Sequence, residues 1–193
     1  TDALDLNEAE RAVLLNSLPK YEQVTHPTHD ENVRWLPRPL SGFIGREREK
    51  ATVLHLLETA RLVTLTGAGG IGKTRLALEV AATSDAVAFV DLAPVSDGEL
   101  IGVAVAEAVG MRKVPGLPLE TVLAKWLSSR GILLVMDNCE HLLQPCAQLV
   151  EVFLRACPGL RVLATSRERL GVPGEVSWRV PSLPIPGANA SLD

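Results

Sequence analysis

No run of lysine or arginine in this chain reaches four residues and the formal net charge is -4, so the basic footprint of a nucleic-acid-binding surface is missing. If the protein regulates DNA, another part of it touches the DNA. Long hydrophobic runs are missing too. The most apolar stretches are interrupted by Asp91, Asp97, Glu99 and Glu107 well short of membrane-spanning length. No signal peptide opens the chain, and a soluble, cytoplasmic protein without membrane contact is expected. Cys139, Cys146 and Cys157 are odd in number and lack metal-ligand spacing, which points to buried free thiols in a reducing compartment. His26-Pro-Thr-His29-Asp30 lacks the further ligands and framework of a stable metal site. The guanine-reading pattern N-K-x-D occurs nowhere, which argues against a Ras-like GTPase and favours adenine.

What is present is globular. The 193 residues are 47% hydrophobic and 22% charged, enough for one α/β domain with its own core and a modest extension. Thr1 stands where a Met would open a complete chain and the other end is Pro-rich, so a piece of something longer is expected.

The chain is organised around Arg61-Leu-Val-Thr-Leu-Thr-Gly67-Ala-Gly69-Gly70-Ile71-Gly72-Lys73-Thr74-Arg75. A β-branched apolar run leads into G-x-x-x-x-G-K-T, and Leu76, Ala77, Val80 and Ala81 follow at helical spacing. Strand, glycine-rich loop and helix in that order form the phosphate-binding loop: backbone N–H groups and the positive helix end face one anion. Gly67, Gly69, Gly70 and Gly72 permit the path. Lys73 reaches the β- and γ-phosphates, and the Thr74 hydroxyl ligates Mg²⁺.

Around it, residues 1–18 read as one helix ended by Pro19, and 20–40 as a Pro-containing linker. A helix with Val53, Leu54, Leu57 and Ala60 on one side precedes the loop. Strands are expected at 86–92, 131–137, 161–167 and 176–180, with helices at 99–109, 119–127 and 141–156 between them. This alternation implies an α/β fold, a three-layer sandwich around a mainly parallel five-stranded sheet with ligands at its C-terminal edge. The loop, Asp137 and Ser166-Arg167 all sit at strand C-terminal ends and should converge.

Four apolar residues running into Asp137 match the Walker B pattern, whose carboxylate holds the Mg²⁺ shell. The alternative is an Asp capping the next helix. In chain order the strand at 86–92 intervenes between loop and Asp137, as in the ASCE branch of P-loop proteins, which often carry a catalytic Glu directly after the Asp. Here Asn138 follows, an amide that cannot take a proton from water, and hydrolysis is in question. Glu140, three residues on, or a group from a further domain would orient the water; otherwise Glu140 is a first-turn helix acid.

Five ordered segments carry a family likeness: Gly-Phe-Ile-Gly-Arg-Glu-Arg-Glu at 42–49, Thr-Gly-Ala-Gly-Gly-Ile-Gly-Lys-Thr-Arg-Leu-Ala at 66–77, Val-Asp-Leu-Ala-Pro-Val at 90–95, Leu-Leu-Val-Met-Asp-Asn-Cys-Glu-His-Leu-Leu at 133–143 and Leu-Ala-Thr-Ser-Arg-Glu-Arg-Leu-Gly-Val at 163–172. Together they resemble the nucleotide-binding domain of STAND ATPases, close to the NB-ARC type of large bacterial LuxR-type and SARP/AfsR-like transcription regulators. The likeness runs from about Leu40 to Pro184, which makes 1–40 an N-terminal extension, 41–184 the nucleotide-binding domain and 185–193 the start of a linker.

The resemblance implies ATP or ADP with Mg²⁺. Phe43, Ile44 and Arg46 would line the adenine side, the stretch from Gly67 to Arg75 the phosphates, and Ser166 and Arg167 would sense the γ-phosphate. Lys73, Asp137 and Arg167 would serve a slow hydrolysis that switches a multidomain protein between closed and open states. The implied partners are downstream helical and winged-helix domains, a DNA-binding effector domain and nucleotide-dependent self-association. Gly116-Leu-Pro imitates the helical domain's Gly-x-Pro contact but lies upstream of Asp137 and reads as a turn. Two other classes remain beside this reading, a small-molecule kinase using Arg167 and Arg169 as lid arginines and a non-hydrolysing interaction scaffold.

Overall fold

The computed structural model describes residues 34–37, 45–111, 118–129 and 131–182. Among the described residues six strands form one sheet in the order β1 (Arg34–Trp35), β3 (Val87–Asp91), β4 (Leu133–Asp137), β5 (Arg161–Ser166), β2 (Leu62–Thr66) and β6 (Glu175–Arg179). Every neighbouring pair is parallel. The five expected strands are all there. The sixth, β1, adds two residues to the edge from the stretch that reads as linker, a length too short to leave a period in the sequence.

Helices cover both faces. Side chains alternate across a strand, and the buried sets divide accordingly. On one face Val63, Leu65, Leu133, Val135 and Leu163 pack with Val53 and Leu57 of α1 (Glu47–Thr59) and with Leu76, Ala77 and Val80 of α2 (Lys73–Ala81). On the other, Leu134, Met136, Val162 and Ala164 meet Ile101 and Val105 of α3 (Ile101–Ala108), Leu123 and Leu127 of α4 (Leu119–Ser128), and Val150 and Phe153 of α5 (Leu143–Ala156). Strands buried on both faces read as continuous apolar runs. Burying a side chain such as Phe153 fully stabilises by about 1.5–3 kcal/mol.

Two expected helices are divided. The one at 99–109 begins as a 3₁₀ turn, Gly98–Leu100, where Asp97 Oδ1 accepts the Glu99 N–H at 3.0 Å. The one at 141–156 is a 3₁₀ turn, Cys139–His141, followed by α5. Pro145 falls in the first turn of α5, where its missing N–H would have had no intrahelical partner. The N-terminal helix, the His26–Asp30 segment, Gly116, and the binding candidates Phe43 and Ile44 lie outside the described residues.

In chain order the strand at 86–92 stands between the loop strand and the Asp137 strand. In the sheet it is β5 that separates them, pairing Thr66 with Ser166 on one side and Met136 with Ala164 on the other. That placement brings three strand ends together.

Candidate functional site

The glycine-rich loop leaves β2 at Thr66 and enters α2 at Lys73. Gly70 and Gly72 take φ of 76° and 95°, a region costly to residues with a Cβ. Gly72 caps α2, so the first N–H groups of the helix face the loop. Gly69 needs no such freedom; a Cβ there would lie 3.8 Å from the Arg167 guanidinium. Lys73 is buried, and its ammonium donates to the Gly67 and Ala68 carbonyls at 2.9 and 3.1 Å. Arg46 is also buried; one guanidinium nitrogen donates to Ile71 O at 2.8 Å, while Nη1 is buried without a hydrogen-bond partner. Arg75 pairs with Glu79 on the surface of α2 at 3.1 Å.

Asp137 ends β4 within reach of the loop. The Thr74 hydroxyl donates to its two oxygens at 2.8 and 3.0 Å, the Thr165 hydroxyl donates at 2.5 Å, and the Asn138 amide donates at 3.0 Å. Burial raises the pKa of Asp137 above the ordinary carboxylate value, with the charges of Asp91 and Glu140 adding to the rise and the Thr165 and Thr74 bonds opposing it. Such a carboxyl gains from an arriving cation. A threonine hydroxyl beside a carboxylate is an all-oxygen donor set that suits Mg²⁺, which takes few protein ligands and completes its shell with water and phosphate oxygens.

Asn138 stands in left-handed backbone at φ 63°. Its amide nitrogen bridges Asp137 and Asp91, reaching the latter at 3.2 Å, and its N–H donates to Thr165 Oγ1 at 3.0 Å. Glu140 ion-pairs with Arg167 at 3.4 Å. Ser166 is buried and accepts the Glu168 N–H at 3.3 Å, holding its own turn.

Of the sequence candidates, the structure brings Gly69, Thr74, Asp137 and Arg167 to one edge, with Lys73 and Arg46 gripping the loop from inside. Ser166 lies beside them but turns to its own chain. Thr165 and Asp91 were missed. Thr165 stands next to Ser166 in the strand, and Asp91 is the Cα register partner of Asp137; only the pairing of strands gives either of them significance.

A cavity of about 480 Å³ opens at the opposite edge, lined by Arg61, Glu151, Arg155 and Gly174 among others. Its polar groups are already engaged, Arg61 on the Leu154 and Cys157 carbonyls and Arg155 on Glu151. The convergent groups lie at the loop. The three cysteines are buried and free.

The strand order, with a strand inserted between the loop strand and the Asp137 strand, defines a P-loop ATPase fold of the ASCE type. Solved structures agree on the fold: Cdc6p from Pyrobaculum aerophilum at a TM-score of 0.54 and 15% identity, covering 76% of this chain and 47% of that one, and a Walker-type ATPase of Pyrococcus abyssi at 0.52 and 15%, covering 76% and 57%. No protein-family model matches the chain. Among curated proteins, a Mycobacterium tuberculosis protein provisionally designated an HTH-type transcriptional regulator is 50% identical over 133 residues, 67% of this chain and 15% of the relative. An uncharacterized protein of the same organism is 40% identical over 174 residues, 87% of this chain and 42% of the relative. The chain thus spans less than half the length of either relative.

Proposed function

We propose that this chain is the ATP/ADP-binding switch module of a multidomain transcription regulator of the STAND type, with NB-ARC-like motifs, and that it hydrolyses ATP slowly. The observation that carries the reading is the meeting of Thr74 with Asp137 beside a glycine-rich loop that grips Lys73. In this reading the loop N–H groups and Lys73 hold the β- and γ-phosphates, and Arg46, with Phe43 and Ile44, borders the adenine. Thr74 and Asp137 hold Mg²⁺, which when bound neutralises phosphate charge. Arg167 faces the terminal phosphate. The ATPase fold, the five motifs and the regulator designation of a 50% identical relative support it.

The surrounding protein would supply the DNA-binding and signal-sensing parts, and nucleotide state would govern their contacts, self-association included. A cytoplasmic site of action follows from this role. Among the described residues no helix is long and apolar enough to cross a membrane.

Asn138 supports a second reading, a nucleotide-binding scaffold without turnover, because its amide is committed as a donor to Asp91 and Asp137. The test is Mg²⁺-dependent binding of ATP and ADP, with phosphate release, by the full-length protein and its Lys73→Ala variant. Binding lost in the variant with slow phosphate release by the parent is the expected result. Binding without release would favour the scaffold, and equal binding by both proteins would overturn the site.

A further inference from the structure

Glu140 is held more firmly than its position in a 3₁₀ turn suggests. The turn Cys139–His141 is tied down by the Cys139 thiol on Met136 O at 3.4 Å, by the Leu142 N–H on Cys139 O at 3.0 Å, and by a His141 ring nitrogen 2.8 Å from Val95 O. Its carboxylate is mostly covered, at 22% side-chain exposure. One oxygen meets Arg167 Nε at 3.4 Å, and the other is buried with no hydrogen-bond partner among the described residues.

Arg167 differs on each count. It follows the end of β5, its side chain is 70% exposed, and its guanidinium lies against the loop at Gly69. A long, exposed cation therefore stands between a fixed carboxylate and the loop. An ion pair this exposed is weak, because water screens it and two long side chains must be held in one geometry. A terminal phosphate offers a guanidinium stronger, charge-assisted bonds. Once Arg167 turned to the phosphate, Glu140 would keep its charge near Asp137 with one oxygen already unpartnered. ADP, lacking the third phosphate, asks nothing of Arg167.

We propose that Glu140 sets the ATP-versus-ADP preference of the site by holding Arg167 back from the terminal phosphate. The proposal rests on the nucleotide-binding reading above. Glu140 is a positioning residue here, acting through Arg167. It makes an ADP-favouring latch, in which the fixed carboxylate and the γ-phosphate compete for one arginine.

The experiment is calorimetric titration of the full-length protein with Mg²⁺-ADP and with Mg²⁺ and the non-hydrolysable β,γ-imido analogue of ATP. The proteins compared are the parent, Glu140→Gln, Arg167→Ala, the Glu140→Gln/Arg167→Ala double variant and Lys73→Ala. Glu140→Gln should tighten the ATP analogue about fivefold, the scale of one exposed ion pair, and leave ADP unchanged. Arg167→Ala, at a position whose side chain is 70% exposed, should weaken the ATP analogue and leave ADP unchanged. The double variant should match it. Unchanged or equally changed affinities in Glu140→Gln overturn the latch. So does the same gain in the Arg167→Ala background, which would mean simple charge repulsion. If Lys73→Ala binds as well as the parent, the nucleotide site itself is misplaced and the latch falls with it.

Discussion

The Thr74 hydroxyl donates to both oxygens of Asp137, at 2.8 and 3.0 Å, across a separation of 63 residues. One residue is in the first turn of α2 and the other at the end of β4, so the bond joins the loop to the strand that ends in the acid. An oxygen pair arranged this way is where a divalent cation would gain most.

Thr74→Ala should therefore bind nucleotide without Mg²⁺ about as well as the parent while gaining little when Mg²⁺ is added. Thr74→Ser keeps the hydroxyl and should behave like the parent. The alanine variant should also lose about 1 kcal/mol of stability through the missing hydrogen bond. Titrations with and without Mg²⁺, with urea melts alongside, check both; a full Mg²⁺ response in the alanine variant would remove Thr74 from the metal.

Asp137 predicts a pH signature. Its folded pKa is raised, chiefly by burial, so between the ordinary value of 3.8 and the raised one the native state binds more protons than the unfolded state. Stability falls as pH rises through that window and stays lower above it. Asp137→Asn removes this cost. Without Mg²⁺ the variant should melt a few degrees higher than the parent at neutral pH, and the gap should shrink as pH drops toward 3.8. A gap that widens on acidification would mean that the carboxylate is stabilised in the fold.

Asn138 meets two demands, neither of which alanine meets. Left-handed backbone costs an ordinary residue about 1–2 kcal/mol, and the amide ties Asp91 to Asp137. Asn138→Ala should destabilise the protein by about 2 kcal/mol, the strain plus a lost hydrogen bond. Asn138→Gly relieves the strain and should recover about half of that. Chemical denaturation of the two variants separates the contributions, and equal stability for both would show that the backbone term is absent.

The loop and its two strongest side chains were legible because the chemistry is local. Glycine permits positive φ, the helix start follows within one residue, and Lys73 and Thr74 sit at fixed offsets from both. The apolar run ending in Asp137 was legible as a central strand for the same reason. Thr165 was not. Nothing in Leu163-Ala-Thr-Ser-Arg167 distinguishes the threonine that meets Asp137 from the serine that holds its own turn, since alternate residues on a strand differ only in the face they present. The motif singled out Arg46 as a residue of the adenine side, and gave no sign of its bond to Ile71 O. The role of Asn138 as a donor to two acids was hidden because Asp91 lies on another strand.

Short-range periodicity and backbone sterics, both readable in the amino-acid order, set the class of fold, the succession of strands and helices along the chain, and the glycine-rich loop. Tertiary structure decided who neighbours whom. Parallel strands are paired by hydrogen bonds between distant segments, and chain order does not prescribe sheet order. Only by inserting β5 between β2 and β4 does the fold place Thr165 on Asp137 and send Arg167 over Gly69 within reach of Glu140.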